Sequence, residues 1–142
     1  MKQLHTLLLL LLFSHVSFAQ DHAHVQYGPE TRQWLDIYIA PSSTPTPVYI
    51  SAHENGGDPS LPSATTDALK AIGISTVSWE SLTSVNTPAE VDTGWADADL
   101  MLAWVKANAA TYNFDTTCLI IGGSSRGSIL SWKIGHNDPS VK

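Results

Sequence analysis

The sequence has one cysteine, Cys118, and no Asn-x-Ser/Thr triplet. A disulfide bond within the chain is therefore impossible, and the apolar core must hold the fold. Positive charge is also scarce, because seven Lys and Arg stand against thirteen Asp and Glu and give a net charge of −6. This balance argues against nucleic acid as a partner, since counterion displacement needs basic surface. Cys118 lies in an apolar run, which predicts a buried small hydrophobe rather than a reactive thiol.

Only one long apolar run is present, and it lies at the N terminus. A lysine at position 2 precedes an unbroken apolar stretch over residues 7–13, and Ser17 and Ala19 are small residues at the positions that a signal peptidase reads. The pattern predicts a cleaved signal peptide over residues 1–19 and a secreted protein. A membrane anchor is the alternative, but the run is shorter than the roughly 20 residues of a span.

The mature chain, residues 20–142, is expected to form one domain. It begins with Gln20-Asp21-His22, a start that could chelate Cu(II) or Ni(II) through a free amine. N-terminal glutamine usually cyclises, which removes that amine, so we predict no metal site here. His22 and His24 are expected in a frayed terminus.

Strand and helix patterns alternate along the rest of the chain. The segment 33–40 places Leu35, Ile37 and Ile39 on one face, which predicts a half-buried strand, whereas the continuous apolar run 116–121 predicts a strand buried on both faces. Ser63 is the expected N-cap of the first helix. This order predicts an α/β fold with a mostly parallel sheet flanked by helices. Further strands are expected at 48–53 and 74–81, and helices at 64–72, 96–111 and 126–134.

A glycine-flanked serine stands where the strand 116–121 gives way to a helix. In the pentad Gly123-Ser124-Ser125-Arg126-Gly127, only Ser125 has glycine two residues away on both sides. A serine at such a turn projects its hydroxyl above the sheet, and the N–H of the next residue points at a developing oxyanion. A plain glycine-rich turn is the alternative, since about one chain in 20 of this length holds such a pentad by chance.

A second motif, His53-Glu54-Asn55-Gly56, ends the strand 48–53. With the pentad, it gives residues 27–139 a resemblance to the N-terminal half of an α/β-hydrolase of the esterase or lipase type. That family has a His-Gly-Gly-Gly stretch after its third strand and a Gly-x-Ser-x-Gly elbow after its fifth. Here Glu54 and Asn55 stand in place of two glycines, so Glu54 must point away from the site.

The resemblance implies a role for each matching residue. Ser125 would be the nucleophile, and His53 would support the loop rather than act as the base. Gly123 and Gly127 would give the elbow its close packing. The oxyanion hole would be formed by three backbone amides, those of Asn55, Gly56 and Arg126.

The acid and the histidine of a triad are missing from this pattern. In the family they follow the nucleophile in the order acid, then histidine. After Ser125 only His136 and Asp138 are available, both at the far end of the following helix, and ten helical residues span about 15 Å. We therefore expect a domain truncated after the elbow helix, in which the elbow strand becomes a sheet edge.

The sequence favours a secreted serine hydrolase of carboxylic esters, small-molecule or glycan-linked, that forms an acyl-enzyme on Ser125. No metal or organic cofactor is implied. Two alternatives stay open: a serine peptidase of the same fold, and a non-catalytic hydrolase-like module that binds a ligand or a partner. A phosphate-binding loop is disfavoured because the pentad lacks the Lys-Ser/Thr pair of such loops.

Overall fold

The protein is described here by a computed structural model that covers residues 21–142. The predicted signal peptide, residues 1–19, lies outside the described residues. The strands are β1 His22–Gln26, β2 Trp34–Tyr38, β3 Thr46–Ala52, β4 Ser75–Trp79 and β5 Phe114–Gly123. The helices are α1 Ser63–Ala71, α2 Pro88–Ala107, α3 Ala109–Tyr112 and α4 Arg126–Asn137.

The five strands form one mixed sheet in the order β1-β2-β4-β3-β5. β3 runs parallel to both β4 and β5, whereas β2 is antiparallel to β1 and to β4. The expectation of a mostly parallel sheet is therefore wrong for its first half. β1 was not expected at all, and His22 and His24 lie in this strand rather than in a frayed terminus. Its exposed, polar sequence carries no strand pattern, and pairing with β2 is what orders it.

Both faces of the sheet are covered. α4 packs against β3 and β5, α2 packs against α4, and α1 packs against β4. Leu35 and Ile37 of β2 lie in the main core, as expected. The opposite face of β2 is also buried, because Asp36 and Tyr38 are each only 4% exposed. The prediction of a half-buried strand is thus wrong.

Helix α2 begins eight residues before its expected start. Thr87 caps it through a reciprocal pair, in which the Thr87 hydroxyl accepts from the Glu90 amide at 3.3 Å and a Glu90 carboxylate oxygen accepts from the Thr87 amide at 2.9 Å. Pro88 occupies the first helical position, where its missing N–H costs nothing. Ser63, the expected cap of α1, is instead its first residue, and Pro62 precedes it without a side-chain cap.

Strand β5 lies at the edge of the sheet. Within residues 21–142, the outer edge of β5 is approached only by residues 140–142: the Leu119 amide donates to the Ser140 carbonyl at 3.0 Å, and the Lys142 amide donates to the Leu119 carbonyl at 2.9 Å. Consequently Ile121 and Cys118 are half-buried, and burial on both faces was a wrong expectation for this strand. No helix in the described part of the chain is both long and apolar enough to cross a bilayer.

Candidate active site

Ser125 lies at the junction between β5 and α4, in a backbone conformation that favours glycine. Its φ is 50° and its ψ is −115°. A non-glycine residue in this region costs about 1–3 kcal/mol, and such strain clusters at functional sites. The side chain is exposed and caps no amide of α4. The hydroxyl is therefore presented to solvent at the N-terminal end of a helix.

Both flanking glycines are required by close backbone contacts. A Cβ atom on Gly127 would lie 2.1 Å from the carbonyl oxygen of Ala52, and one on Gly123 would lie 2.5 Å from the carbonyl carbon of Gly127. The Ser124 amide also donates to the Ala52 carbonyl at 3.3 Å. The ends of β3 and β5 and the start of α4 thus meet at one point, directly beneath Ser125.

The loop after β3 is fastened to residues 83–86. The Asn55 side chain accepts from the Val85 amide at 2.9 Å and donates to the Val85 carbonyl at 3.2 Å. Gly56, at φ 71°, donates its amide to the Thr83 carbonyl at 2.9 Å. The Gly56 amide is therefore engaged, and it can serve as an oxyanion donor only if this bond opens.

The Arg126 amide is placed differently. Arg126 is the first residue of α4, so its N–H has no intrahelical acceptor. It makes no other backbone hydrogen bond within residues 21–142. This amide is free to bind an anion at the positive end of the helix dipole.

Beneath the loop lies a buried cluster formed by His53, Glu80 and Arg126. The ring Nδ1 of His53 lies 2.8 Å from the Glu54 carbonyl, which can only accept, so Nδ1 donates. The ring Nε2 lies 2.8 Å from Glu80 Oε1 and 2.6 Å from Arg126 Nη2. The His53 ring is thus committed to buried partners on both sides, and it does not point freely toward Ser125.

Sequence reasoning did not single out Glu80. It follows β4 directly, and β4 is the parallel neighbour of β3, so Glu80 and His53 emerge at the same end of adjacent strands. A charged residue after an apolar strand was the available signal. Tyr27 donates its hydroxyl to the Glu80 carbonyl at 2.5 Å. Burial raises the pKa of this tyrosine well above its usual value, and the charges of Asp97 and Glu80 add to the rise.

A second buried carboxylate, Asp97 of α2, supports the same end of the sheet. It accepts from Arg32 Nε at 3.1 Å, from Gln33 Nε2 at 2.6 Å and from Ser81 Oγ at 2.6 Å. The amide of Ser81 in turn donates to Glu80 Oε1 at 2.8 Å. The two acidic groups are therefore joined through one serine into a continuous polar network.

A cleft of about 460 Å³ opens beside the serine turn, at the carboxyl ends of β3 and β5. Its lining includes Ser124, Tyr49 and Ser51, together with the acidic residues Glu54 and Asp58. The expectation that Glu54 points away from the site is therefore wrong, because Glu54 lines this cleft. Hydrogen bonds from the side chain and backbone of Ser60 hold the pKa of Asp58 below its ordinary value. The cleft is consequently polar and negatively charged at neutral pH.

The remaining histidines of the described chain lie elsewhere. His22 and His24 are in β1, at the opposite edge of the sheet from β5. His136, in the last turn of α4, stacks on Trp132 with ring centres 5.3 Å apart. Asp138 follows α4 and pairs with Lys106 at 2.5 Å. In residues 21–142, no three His, Cys, Asp or Glu side chains are grouped to hold a metal ion.

No protein-family model and no characterised protein matches the sequence. Solved structures do match its fold. A thermostable carboxylesterase cloned from a metagenomic library matches with a TM-score of 0.59 and 16% identity, over 99% of this chain and 49% of that one. Esterase B from Lactobacillus rhamnosis matches with a TM-score of 0.59 and 15% identity, over 89% of this chain and 43% of that one.

A higher identity, 24%, is found with an acetyl ester-xyloside bifunctional hydrolase from Caldicellulosiruptor lactoaceticus, at a TM-score of 0.54 over 75% of this chain and 43% of that one. The chain spans less than half the length of each of these three proteins. Their identities are low enough that the likeness concerns the fold alone. The strand order, the helices that connect the parallel strands and these structural matches all indicate one fold. The chain has the α/β-hydrolase fold seen in esterases.

Proposed function

We propose that the chain carries the nucleophile of a serine hydrolase that acts on carboxylic esters through an acyl-enzyme on Ser125. The observation that carries this proposal is the backbone of Ser125, which is held at φ 50° with its hydroxyl exposed at the start of α4. Glycine would adopt this conformation without strain, so stability alone does not account for a serine at this position. A serine kept there is best explained by the chemistry of its hydroxyl.

In this mechanism the Ser125 oxygen attacks the acyl carbon of the ester, and the carbonyl oxygen becomes an oxyanion. The free amide of Arg126 donates to that oxyanion at the N terminus of α4, with the Asn55 amide as the second donor. Gly56 joins them only if its bond to the Thr83 carbonyl opens. The alcohol then leaves, and water hydrolyses the acyl-enzyme.

The proposal assigns the base and the acid to residues outside 21–142. Within the described chain, His53 is bound to Glu80 and Arg126, and His136 lies at the far end of α4. In each of the three structural matches described above, this chain covers less than half of the other protein's length. That length leaves room for groups that this part of the fold does not supply.

The substrate class follows from the charge of the cleft. Glu54 and Asp58 line it, and no lysine or arginine does. Anionic esters are therefore disfavoured, and a neutral ester, such as an acetylated small molecule or glycan, fits better. One of the structural matches is described as an acetyl xylan esterase from Aspergillus awamori. The sequence pattern at residues 1–19 supports a secreted site of action.

Labelling with a fluorophosphonate tests the proposal on the full-length protein as its source secretes it. We expect one adduct per chain, located by peptide mass spectrometry on Ser125. The change Ser125→Ala should abolish the adduct, and Ser124→Ala, at the exposed neighbour, should retain it. An unlabelled Ser125 in protein that still binds acetylated sugars would contradict the hydrolase and favour a binding module instead.

A further inference from the structure

Arg126 carries two groups that reach different parts of the candidate site. Its backbone amide opens α4 and is free, as described above. Its side chain points into the protein, is 2% exposed, and contacts the loop after β3. There Nε donates to the His53 carbonyl at 3.2 Å, and Nη2 lies 2.6 Å from His53 Nε2. One residue therefore joins the serine turn to the loop that bears Asn55.

Burial of this guanidinium is expensive for the fold. Desolvation lowers the pKa of Arg126 below its ordinary value, although the charges of Glu80 and Glu54 oppose that shift. Its Nη1 atom is buried and has no hydrogen-bond partner in the described chain. A hydrophobic side chain of similar size would fill the same space at lower cost. Stability alone therefore does not account for an arginine here.

Glu80 supplies the opposite charge beside the His53 ring. Its Oε1 accepts from the Ser81 amide at 2.8 Å and lies 2.8 Å from His53 Nε2. His53 follows β3, Glu80 follows β4, and Arg126 follows the turn after β5. Three side chains thus tie together the carboxyl ends of three adjacent strands.

Such a tie matters because oxyanion donors act only over a narrow range of distance. Donors must lie about 2.7–3.1 Å from the position of the oxyanion, and a misplacement of about 1 Å can cost 100-fold in rate. The two candidate amides, those of Arg126 and Asn55, belong to separate segments of the chain. Their spacing depends on whatever connects those segments.

We propose that the Arg126 side chain and Glu80 are positioning residues that hold the loop 53–57 in register with the serine turn and so set the spacing of the oxyanion donors. This inference rests on the hydrolase function proposed above. The guanidinium is suited to the task because its planar fork contacts a carbonyl and a ring nitrogen at once. Lysine has one terminal nitrogen on a flexible stem, so it does not hold the two acceptors in a fixed geometry.

Steady-state kinetics on the full-length secreted protein with p-nitrophenyl acetate test this role. We expect Arg126→Lys to lower kcat at least 10-fold with KM within about 2-fold, because donor spacing acts on the transition state. Glu80→Gln should lower kcat in the same way but by less. The matched control is Asp138→Asn, which makes the same carboxylate-to-amide change as Glu80→Gln but beyond the far end of α4, where Asp138 pairs with Lys106. It should lower the melting temperature and leave kcat unchanged.

The outcomes separate this inference from the function on which it rests. If wild-type Ser125 takes no fluorophosphonate and the ester is not cleaved, the function fails and the positioning role with it. If the wild type is active but both Arg126→Lys and Glu80→Gln keep its kcat, the positioning role alone is wrong. Equal loss of kcat in Glu80→Gln and Asp138→Asn would also overturn it, since that result reports a general loss of stability. Should Arg126→Lys fail to fold, the kcat of Glu80→Gln decides.

Discussion

The backbone of Gly127 presses so closely on Ala52 that a Cβ atom at position 127 would lie 2.1 Å from the Ala52 carbonyl oxygen. This contact joins the first turn of α4 to the end of β3. Backbone atoms lie on both sides of it, so no side-chain rotation can relieve an added methyl group.

Gly127→Ala should therefore lower the free energy of unfolding by at least about 2 kcal/mol. The control is Gly135→Ala on the same helix, where the new Cβ would lie 2.9 Å from the terminal methyl group of the Ile121 side chain and no backbone atom is among its nearest contacts. There the helix propensity of alanine, favourable by about 1 kcal/mol, offsets the contact. Urea denaturation of both variants measures the difference. Equal stabilities would show that the Gly127 contact is not tight.

Ser125→Gly should stabilise the protein while it removes the reactive hydroxyl. Glycine adopts φ 50° without strain, so the free energy of unfolding should rise by about 1 kcal/mol. Ser124→Gly makes the same change one residue earlier, where φ is not positive, and should give no gain. Thermal unfolding followed by circular dichroism reports both. A loss of stability in Ser125→Gly would contradict the strained conformation.

Asp97 and Asp99 are two residues apart on α2 and differ sharply in environment. Asp97 is 2% exposed with four donors around it, whereas Asp99 is exposed and pairs only with Lys133 at 2.5 Å. Asp97→Ala should cost about 3–5 kcal/mol because it leaves the buried Gln33 amide and the buried Ser81 hydroxyl without their acceptor and removes the main partner of Arg32. Asp99→Ala should cost less than about 1 kcal/mol. Denaturant titrations measure the loss of unfolding free energy in both variants, and similar losses would contradict this prediction.

Asp138 should make stability depend on pH. Burial alone would raise its pKa, but hydrogen bonds from Lys106 and Ser140 outweigh burial and hold the pKa below 3.8. A carboxyl with a lowered folded-state pKa contributes stability above its unfolded pKa and loses it as pH falls through the folded pKa. Asp138→Asn should thus cost up to about 1 kcal/mol at pH 7, and the difference should shrink as pH falls below 3.8 toward the folded-state pKa.

Unfolding measured between pH 7 and pH 2 gives both curves for that test. Lys106→Met should remove the same part of the pH dependence of the unfolding free energy. The double variant should lose little more stability than either single variant. Parallel curves for the wild type and Asp138→Asn over this range would show that the carboxyl is not stabilised by its neighbours.

Local patterns in the sequence predicted the elements that determine the candidate site. The strand before His53, the strand before the pentad and the helix after it lie within a few residues of their expected places. The pairing of β3 with β5 brings the two motifs together, as the order of elements implied. Glycine spacing and apolar runs are properties of short segments, so the sequence reports them directly. The start of α2 was missed although Thr87 and Glu90 form a recognisable capping pair.

What the sequence did not reveal depends on contacts between distant segments. β1 has no apolar alternation and exists because β2 pairs with it. The engagement of Gly56 depends on Thr83, and the inward turn of Arg126 depends on His53 and Glu80. Burial of the second face of β2 depends on α1, whose Lys70 lies 5.9 Å over the ring of Tyr38. No periodicity within one segment encodes such partners.

The position of β3 between β4 and β5 has a consequence for how the chain acquires its fold during synthesis. β3 leaves the ribosome before its partners β4 and β5. Thr46 at the start of β3 cannot pair until Phe114 has been synthesised. One hydrogen-bonding edge of β3 can be covered once β4 has been made, but the other stays open until β5 follows, and an open edge invites association with other nascent chains. Pairs that are distant in sequence also close slowly. The strand that anchors the candidate site is thus completed only when the last strand of the sheet is in place.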